Sequence, residues 1–271
     1  MVGRAVEEYC RSREDLVFPY DHERLDIANL EQATRTLERD KPDVVINCAA
    51  WTDVDGCESD QERAFAANAR GPENLGIASK ATNAKLVTIS TDYVFDGEKE
   101  GFYTQDDQPS PQGVYAKSKL EGERRAVSAD AQTVVVRTGF IFGPGGRNFL
   151  STIVQRARNG ERLMAINDAI GTPTYALDLA VRLRELAVGN FSGIFHVVNA
   201  GEGATYEQFA HEAVRLAGYP DLKIEPVQMN SLKRPAPRPK NSRLRCLYSE
   251  ALGLSSLPDW RHSLGKFVAS Y

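Results

Sequence analysis

Apolar segments that alternate with helix-like segments constrain the fold of this chain more than any other feature. The apolar segments are rich in β-branched residues and lack polar alternation, so they predict strands buried on both faces. They are residues 16–18, 44–49, 85–90, 133–138 and 194–198. Because strands separated by helices are typical of parallel sheets, we predict an α/β fold with a doubly wound parallel sheet.

The segments between the strands carry helical patterns. We predict helices over residues 29–39, 60–80 with an interruption at Gly71-Pro72, 113–127, 149–158, 175–188 and 206–216. By contrast, residues 230–242 are rich in proline, lysine and arginine, and they predict irregular structure.

Three polar side chains form the strongest chemical pattern. Tyr115 and Lys119 share one face of the predicted 113–127 helix, so the ammonium is expected to lie near the phenol and favour its ionised form. Thr91 follows the 85–90 strand, at the edge where open α/β sheets place their chemistry. A hydroxyl that orients a carbonyl and a phenol that protonates it fit carbonyl reduction by a hydride-carrying cofactor. A solvated helix face also produces this spacing, so the pair alone is not decisive.

Six sequence blocks, in order along the chain, resemble the extended short-chain dehydrogenases/reductases and, within them, the dTDP-4-dehydrorhamnose reductase family. They are PDVVINCAAWTDVDGCE (42–58), ISTDYVFDG (89–97), YAKSKLEGE (115–123), VVRTGFIFG (135–143), NFL (148–150) and GTPTYALDLA (171–180). The resemblance covers nearly the whole length, and six blocks in register are far more specific than any one of them.

The resemblance implies a Rossmann-type nucleotide-binding domain with a smaller C-terminal substrate lobe. The first would comprise residues 1–142 and 171–198, and the second residues 143–170 and 199–271. It further implies that Thr91, Tyr115 and Lys119 form the catalytic triad. Tyr115 would be the acid, and Lys119 would also hold the nicotinamide ribose.

The amino terminus departs from the expected pattern. A dinucleotide-binding domain opens with a strand and a glycine-rich turn that holds the pyrophosphate. Here MVGRAVEEYC resembles only the end of that turn running into the first helix, with Gly3 as the third glycine. Because the missing strand would be central in the sheet, we expect a shortened form of a longer enzyme. The alternative is a genuine short form whose gap is filled by another segment or a partner chain.

The remaining cofactor contacts fall on small residues and on the neighbouring pair Asp26 and Ile27. Residues that the resemblance assigns to the cofactor, besides Gly3, Tyr115 and Lys119, are Asp26, Ile27, Ala49, Ala50, Thr52 and Ser90. Asp21 would favour NAD(H) by binding ribose hydroxyls, whereas His22 and Arg24 would favour NADP(H) by meeting a 2′-phosphate. The sequence leaves NAD(H) and NADP(H) open.

Substrate contacts are expected from aromatic and polar residues beyond the triad. Phe140 stands where the family usually has tryptophan, so its smaller ring covers less of the substrate. The other candidates for a nucleotide-sugar cleft are Val54, Tyr93, Asn148 and Phe149. A cationic stretch could face a diphosphate, or it could be an ordinary solvated loop; its charged residues are Lys233, Arg234, Arg238 and Lys240.

Composition excludes several function classes. The net charge of −4 provides no basic field for nucleic acid. No apolar run has the length of a membrane span, and the amino terminus lacks a signal region. The four cysteines are too widely spaced for a zinc motif, so we predict no metal site and a reducing, cytoplasmic location. The assembly is left open, with a homodimer as one candidate.

These observations together predict an NAD(P)H-dependent reductase of the C4 ketone of a nucleotide-linked 6-deoxy sugar. The resemblance names the substrate as dTDP-4-dehydrorhamnose and the product as dTDP-rhamnose. Two alternatives stay open. One is an epimerase or dehydratase of the same superfamily, which would not consume its cofactor. The other is a non-catalytic regulatory subunit, resembling that of methionine adenosyltransferase, which would have no physical need for Thr91, Tyr115 and Lys119 together.

Overall fold

A computed structural model describes residues 1–270 and shows helices and strands in alternation. The helices are α1 (Val2–Ser12), α2 (Leu30–Asp40), α3 (Val54–Ser59), α4 (Gln61–Phe65), α5 (Gly71–Thr82), α6 (Val114–Ala129), α7 (Phe149–Arg158), α8 (Ala176–Val188), α9 (Tyr206–Leu216) and α10 (Trp260–Ala269). The strands are β1 (Val44–Asn47), β2 (Lys85–Thr91), β3 (Val134–Thr138), β4 (Ile141–Phe142), β5 (Leu163–Ile166), β6 (Ile170–Gly171), β7 (Thr174–Tyr175), β8 (Gly193–His196), β9 (Ala204–Thr205) and β10 (Ile224–Val227).

The central sheet is parallel, which confirms the predicted architecture. Its strand order is β1-β2-β3-β8, and every neighbouring pair is parallel. Strand β3 is buried at all five positions because helices cover both faces. On one face α1 and α8 pack against the sheet, and on the other α2, α5 and α6 do so. Parallel strands point the same way, so β1, β2 and β3 end along one edge.

Two local expectations were wrong. Residues 16–18 are not a strand: Leu16 is 83% and Phe18 45% exposed, and the segment does not pair with β1, the last strand on that side of the described sheet. The Gly71-Pro72 pair does not interrupt a helix but opens α5, after a single wide turn over Ala66–Arg70. Proline suits a helix start, and a Cβ at Gly71 would lie 2.5 Å from Cδ1 of Ile27.

A second apolar cluster lies in the carboxyl-terminal part of the chain. It joins α7, α9 and α10 to the two-stranded parallel sheet of β5 and β10. Phe142, Phe209, Trp260 and Phe267 are fully buried there, with ring contacts between 5.1 and 5.8 Å linking Phe142 to Phe209 and Phe267, and Phe209 to Trp260. The division into two lobes at residues 142, 170 and 198 stays a prediction.

Within residues 1–270, no helix combines the length and apolarity that a membrane crossing requires. The same residues contain no group of three or more His, Cys, Asp or Glu side chains arranged to hold a metal ion. All four cysteines are unpaired, and Cys10 and Cys57 are buried.

Candidate active site

The strand β2 and the helix α6 bring the three predicted catalytic side chains together at the carboxyl edge of the sheet. Thr91 is the last residue of β2, and Tyr115 and Lys119 lie one turn apart at the start of α6. Thr91 and Lys119 are buried, whereas Tyr115 is half-buried. The start of α6 is fixed by Glu58, whose Oε1 accepts the backbone N–H of Val114 at 2.8 Å.

Hydrogen bonds orient the threonine beside the tyrosine. The Thr91 hydroxyl donates to Oδ1 of Asp92 at 3.1 Å and accepts the backbone N–H of Tyr93 at 3.2 Å. A side-chain interaction with Thr91 lowers the pKa of Tyr115, against the larger effect of burial. A proton donor and a second polar oxygen therefore meet at one point.

The expected acidification of the phenol is not found. Burial raises the pKa of Tyr115 above its ordinary value, and Lys119 does not counter that effect. The Lys119 ammonium instead donates to the backbone oxygen of Ile89 at 2.7 Å. Burial lowers the pKa of Lys119 to about 8, with Glu123 acting in the opposite direction. The phenol is thus protonated at neutral pH, which is the form that a general acid needs.

Asp92 is a site residue that the sequence reasoning missed. It is buried, its Oδ2 has no hydrogen-bond partner, and burial raises its pKa to about 6 against bonds to Ser242 and Thr91. Gly139 makes room for this carboxyl group, since a Cβ there would lie 2.1 Å from Cγ of Asp92. The acid directly after Thr91 in STDY was the signal that could have identified it.

An aromatic cavity adjoins the catalytic edge. It has a volume of about 20 Å³, and its walls include Tyr93, Phe140, Tyr206 and Arg234. The ring of Tyr93 meets that of Tyr115 edge-on at 6.1 Å, which joins the cavity to the acid. The rings of Phe140 and Tyr206 lie 4.3 Å apart. Tyr206 was not predicted, because nothing local to residue 206 shows that α9 begins beside Phe140.

Of the other predicted substrate residues, only Phe149 contacts a wall of this cavity. Phe149 packs edge-on against Tyr206 at 5.9 Å. Asn148 caps α7: its Oδ1 accepts the N–H of Ser151 at 2.9 Å, and its Nδ2 donates to the oxygen of Ile141 at 2.8 Å. Its side chain is therefore committed to structure. Val54 opens α3 and brings the next residue, Asp55, toward the cationic stretch.

The cationic stretch is not simply a solvated loop. Residues 234–241, called the strap below, cross the aromatic cavity. Arg238 forms a two-point ion pair with Asp55 at 2.8 and 2.9 Å, and the backbone N–H of Ala236 donates to Asp55 at 3.0 Å. Arg234 is exposed at the cavity, and Lys233 and Lys240 are also exposed.

The predicted cofactor residues follow the sheet edge. Ala49 and Thr52 are exposed and Ala50 is half-buried, directly after β1. Gly3 lies near the start of α1, where a Cβ would be 3.7 Å from Cβ of Cys48. The amino end of α1 therefore lies beside the end of β1. A helix amino terminus with small neighbours fits a pyrophosphate.

The residues expected to contact adenosine lie near the start of α2. The Oδ1 of Asp26 accepts the N–H of Ala28 at 3.0 Å, and the oxygen of Ile27 accepts from Asn74 at 2.9 Å. Asp21, His22 and Arg24 are all exposed, so none of them is committed to the core. Ser90 is committed to the core, because its hydroxyl donates to Oε1 of the buried Glu123 at 2.5 Å.

Comparisons with known proteins agree on one family. The model of the RmlD substrate binding domain matches residues 1–271. The dTDP-4-dehydrorhamnose reductase of Mycobacterium tuberculosis (strain ATCC 25618 / H37Rv) is 39% identical over 84% of this chain and 77% of its own length. That of Mycolicibacterium smegmatis is 35% identical over 100% of this chain and 83% of its own.

Solved structures give the same result. A dTDP-4-dehydrorhamnose reductase crystal structure from Clostridium acetobutylicum superimposes with a TM-score of 0.94 at 36% identity, covering 99% of this chain and 95% of that one. The Bacillus anthracis reductase in complex with NADP has a TM-score of 0.95 at 31% identity, with 100% and 95% covered. With the Thr91, Tyr115 and Lys119 arrangement, these matches show that the chain belongs to the dTDP-4-dehydrorhamnose reductase family.

Proposed function

We propose that this protein reduces the C4 ketone of dTDP-4-dehydrorhamnose to give dTDP-rhamnose, with NADPH as reductant. The observation that carries the proposal is the protonated phenol of Tyr115, which lies with Thr91 and Lys119 at the carboxyl edge of the sheet. The relatives at 35–39% identity bear the name of this reaction. One of the similar crystal structures contains NADP.

The residues at the edge divide the chemistry among them. Bound nicotinamide cofactor supplies the hydride for C4 of the sugar. Tyr115 gives its proton to the oxygen of the former ketone, while Thr91 orients that oxygen. Lys119, held by Ile89, places a buried cation beside the expected position of the nicotinamide ribose.

The cofactor would lie along the carboxyl edge of the sheet. The amino end of α1 would face the pyrophosphate, while Ala49, Ala50 and Thr52 would let the cofactor approach β1 closely. Asp26 and Ile27 would border the adenine. Arg24 and His22 are the exposed groups that would meet a 2′-phosphate, in keeping with NADPH.

The sugar nucleotide would occupy the aromatic cavity. Tyr93, Phe140 and Phe149 would provide ring faces, with Tyr206 between Phe140 and Phe149. Arg234, the exposed guanidinium at the cavity, would bind the diphosphate. A cavity of about 20 Å³ is far smaller than a ligand pocket of roughly 300–1,000 Å³. The substrate would therefore need more room than this cavity has, and Arg234 and Arg238 of the strap are among the walls that would have to move.

Reduction accounts for the site better than either alternative. A regulatory subunit would not need a threonine, a tyrosine and a buried lysine brought together at one edge of the sheet. An epimerase would regenerate its cofactor within each turnover, so net NADPH consumption separates the two enzyme classes. The homodimer, the cytoplasmic location and the two-lobe division are further parts of this proposal.

The test is an assay of NADPH oxidation with dTDP-4-dehydrorhamnose, with identification of the sugar product. We expect stoichiometric formation of dTDP-rhamnose and NADP⁺. Sugar conversion without net NADPH oxidation would contradict the proposal, as would NADPH binding without any turnover of this ketone.

A further inference from the structure

A buried charged cluster lies directly behind the catalytic edge and takes no part in the reaction as proposed. Glu123, one turn beyond Lys119 on α6, forms an ion pair with Arg137 of β3, and their side chains are only 4% and 3% exposed. The carboxylate accepts from Nη2 of Arg137 at 2.7 Å and from Nε at 3.0 Å. It also accepts the hydroxyl of Ser90 at 2.5 Å.

This cluster is in register with Lys119. The oxygen of Ile89 accepts the Lys119 ammonium at 2.7 Å, and the next residue, Ser90, binds Glu123. Lys119 and Glu123 are four residues apart, so they lie on one face of α6. Two consecutive residues of β2 therefore hold two consecutive turns of the catalytic helix.

The charges around Lys119 make Glu123 its electrostatic partner. Of the groups that act on Lys119 within residues 1–270, the two anionic or acidic ones are Glu123 and the Cys48 thiol at the end of β1. Burial raises the pKa of Cys48 to about 12, so this thiol is uncharged at neutral pH. On the far side of Arg137, burial and the guanidinium lower the pKa of His196 to about 3, which keeps that ring neutral. Glu123 therefore opposes the burial that disfavours the Lys119 ammonium.

We propose that Glu123, clamped by Arg137 and Ser90, is a positioning residue that holds Lys119 in register with β2 and keeps it protonated through the neutral range. The inference rests on the proposed function, in which Lys119 acts as a cation beside the cofactor ribose. Stability alone is a weak reason for such a cluster, because a buried ion pair often contributes little more than an apolar pair of similar volume.

The pH dependence of kcat/KM for NADPH oxidation tests this role. In the wild type, activity falls as the pH rises through the pKa of Lys119. Glu123→Gln removes the anion but keeps the shape of the side chain. The fall of kcat/KM at high pH, called the basic limb below, should therefore move to lower pH by about 1 pH unit or more. Arg137→Met leaves the carboxylate in place, so the limb moves to higher pH. The matched control is Glu121→Gln, since Glu121 pairs with Arg125 at the surface of the same helix, and it leaves the limb unchanged.

A purely structural ion pair gives a different pattern. It predicts that Glu123→Gln and Arg137→Met lose activity alike while the basic limb stays in place, and that result would overturn the proposal. Glu123→Asp keeps the charge and is expected to restore most of the limb. If Glu123→Gln does not fold, Arg137→Met decides, and an unchanged Lys119 pKa in Arg137→Met refutes the role.

A direct titration separates this inference from the proposed reaction. Lysine-labelled protein gives the Lys119 pKa by ¹³C NMR, with the signal assigned from Lys119→Arg. A lower pKa in Glu123→Gln supports the role of Glu123 even if no sugar ketone is reduced. Absence of reductase activity in the wild type would refute the proposed function alone.

Discussion

The two sides of the active site are built in different ways. On the catalytic side, Thr91 and Lys119 are buried in the parallel sheet and its covering helix, with hydrogen bonds to β2. On the substrate side, half of the strap residues are exposed, and Asp55 holds both Arg238 and the backbone of Ala236. From this difference we infer that the core would fix the geometry of the proposed proton transfer, whereas the strap would control access and recognition.

The largest expected effect comes from the acid on the catalytic side. Tyr115→Phe removes the proton donor, so kcat should fall about 100-fold or more. NADPH affinity and the thermal unfolding midpoint should change little, because the ring and its packing remain. Steady-state kinetics and calorimetry measure both. The matched control is Tyr248→Phe, an exposed tyrosine, 43% accessible. A Tyr115→Phe variant with wild-type kcat would contradict the role of Tyr115 as the proton donor.

The room that Gly139 leaves for Asp92 should matter next. Gly139→Ala places a Cβ 2.1 Å from Cγ of Asp92, and such overpacking costs about 1–3 kcal/mol. Denaturant unfolding gives this cost. In an Asp92→Ala background the same change should cost much less, and a double-mutant cycle measures the coupling. Equal costs in both backgrounds would show that the close approach of residue 139 to the Asp92 carboxyl group does not cause the loss of stability.

Asp92 also gives the catalytic side a pH signature. Its pKa is raised from 3.8 to about 6, so the folded state holds this proton more tightly than the unfolded state. Its stabilising contribution is present below about pH 4 and is lost as the pH rises through 6. Asp92→Asn should therefore gain stability relative to the wild type between pH 4 and 7, by up to about 3 kcal/mol. Thermal unfolding at both pH values measures this change, and a pH-independent difference would contradict it.

Arg234 tests recognition on the substrate side. Arg234→Ala should raise KM for the sugar nucleotide about tenfold and leave kcat nearly unchanged, because a charge-assisted bond to the diphosphate contributes about 1.5–3 kcal/mol. Lys233→Ala, also exposed but outside the cavity walls described, is the matched control. A fall in kcat without a change in KM would place Arg234 in the chemical step. It would contradict the assignment of Arg234 to substrate binding.

The smallest kinetic effect is expected from the strap contact. Asp55→Asn weakens the bond to Arg238, so the backbone N–H of Ala236 should exchange with deuterium faster while β2 and β3 stay protected. KM should change only a few-fold. Hydrogen-exchange mass spectrometry compares the two sides directly. Equal acceleration in the strap and in the sheet would mean that Asp55 supports the whole fold and is not confined to the strap.

Local patterns predicted much of this molecule. The bounds of α7 and α9 follow their apolar periodicity, and Thr91, Tyr115 and Lys119 could be placed because a strand end and one helix turn position them. Contacts between distant segments could not be predicted, as with Tyr206 beside Phe140 or Asp55 with Arg238. The pKa of Tyr115 was also misjudged, since it depends on burial that spacing along a helix does not reveal.

Transfer of isotope from the cofactor tests the central claim most directly. NADPH deuterated at the transferable position of the nicotinamide is incubated with dTDP-4-dehydrorhamnose, and the sugar is analysed by NMR. The account predicts one deuterium at C4 of dTDP-rhamnose for each NADP⁺ formed. A product that lacks deuterium at C4, or a sugar altered at another carbon with no net NADP⁺, would contradict it.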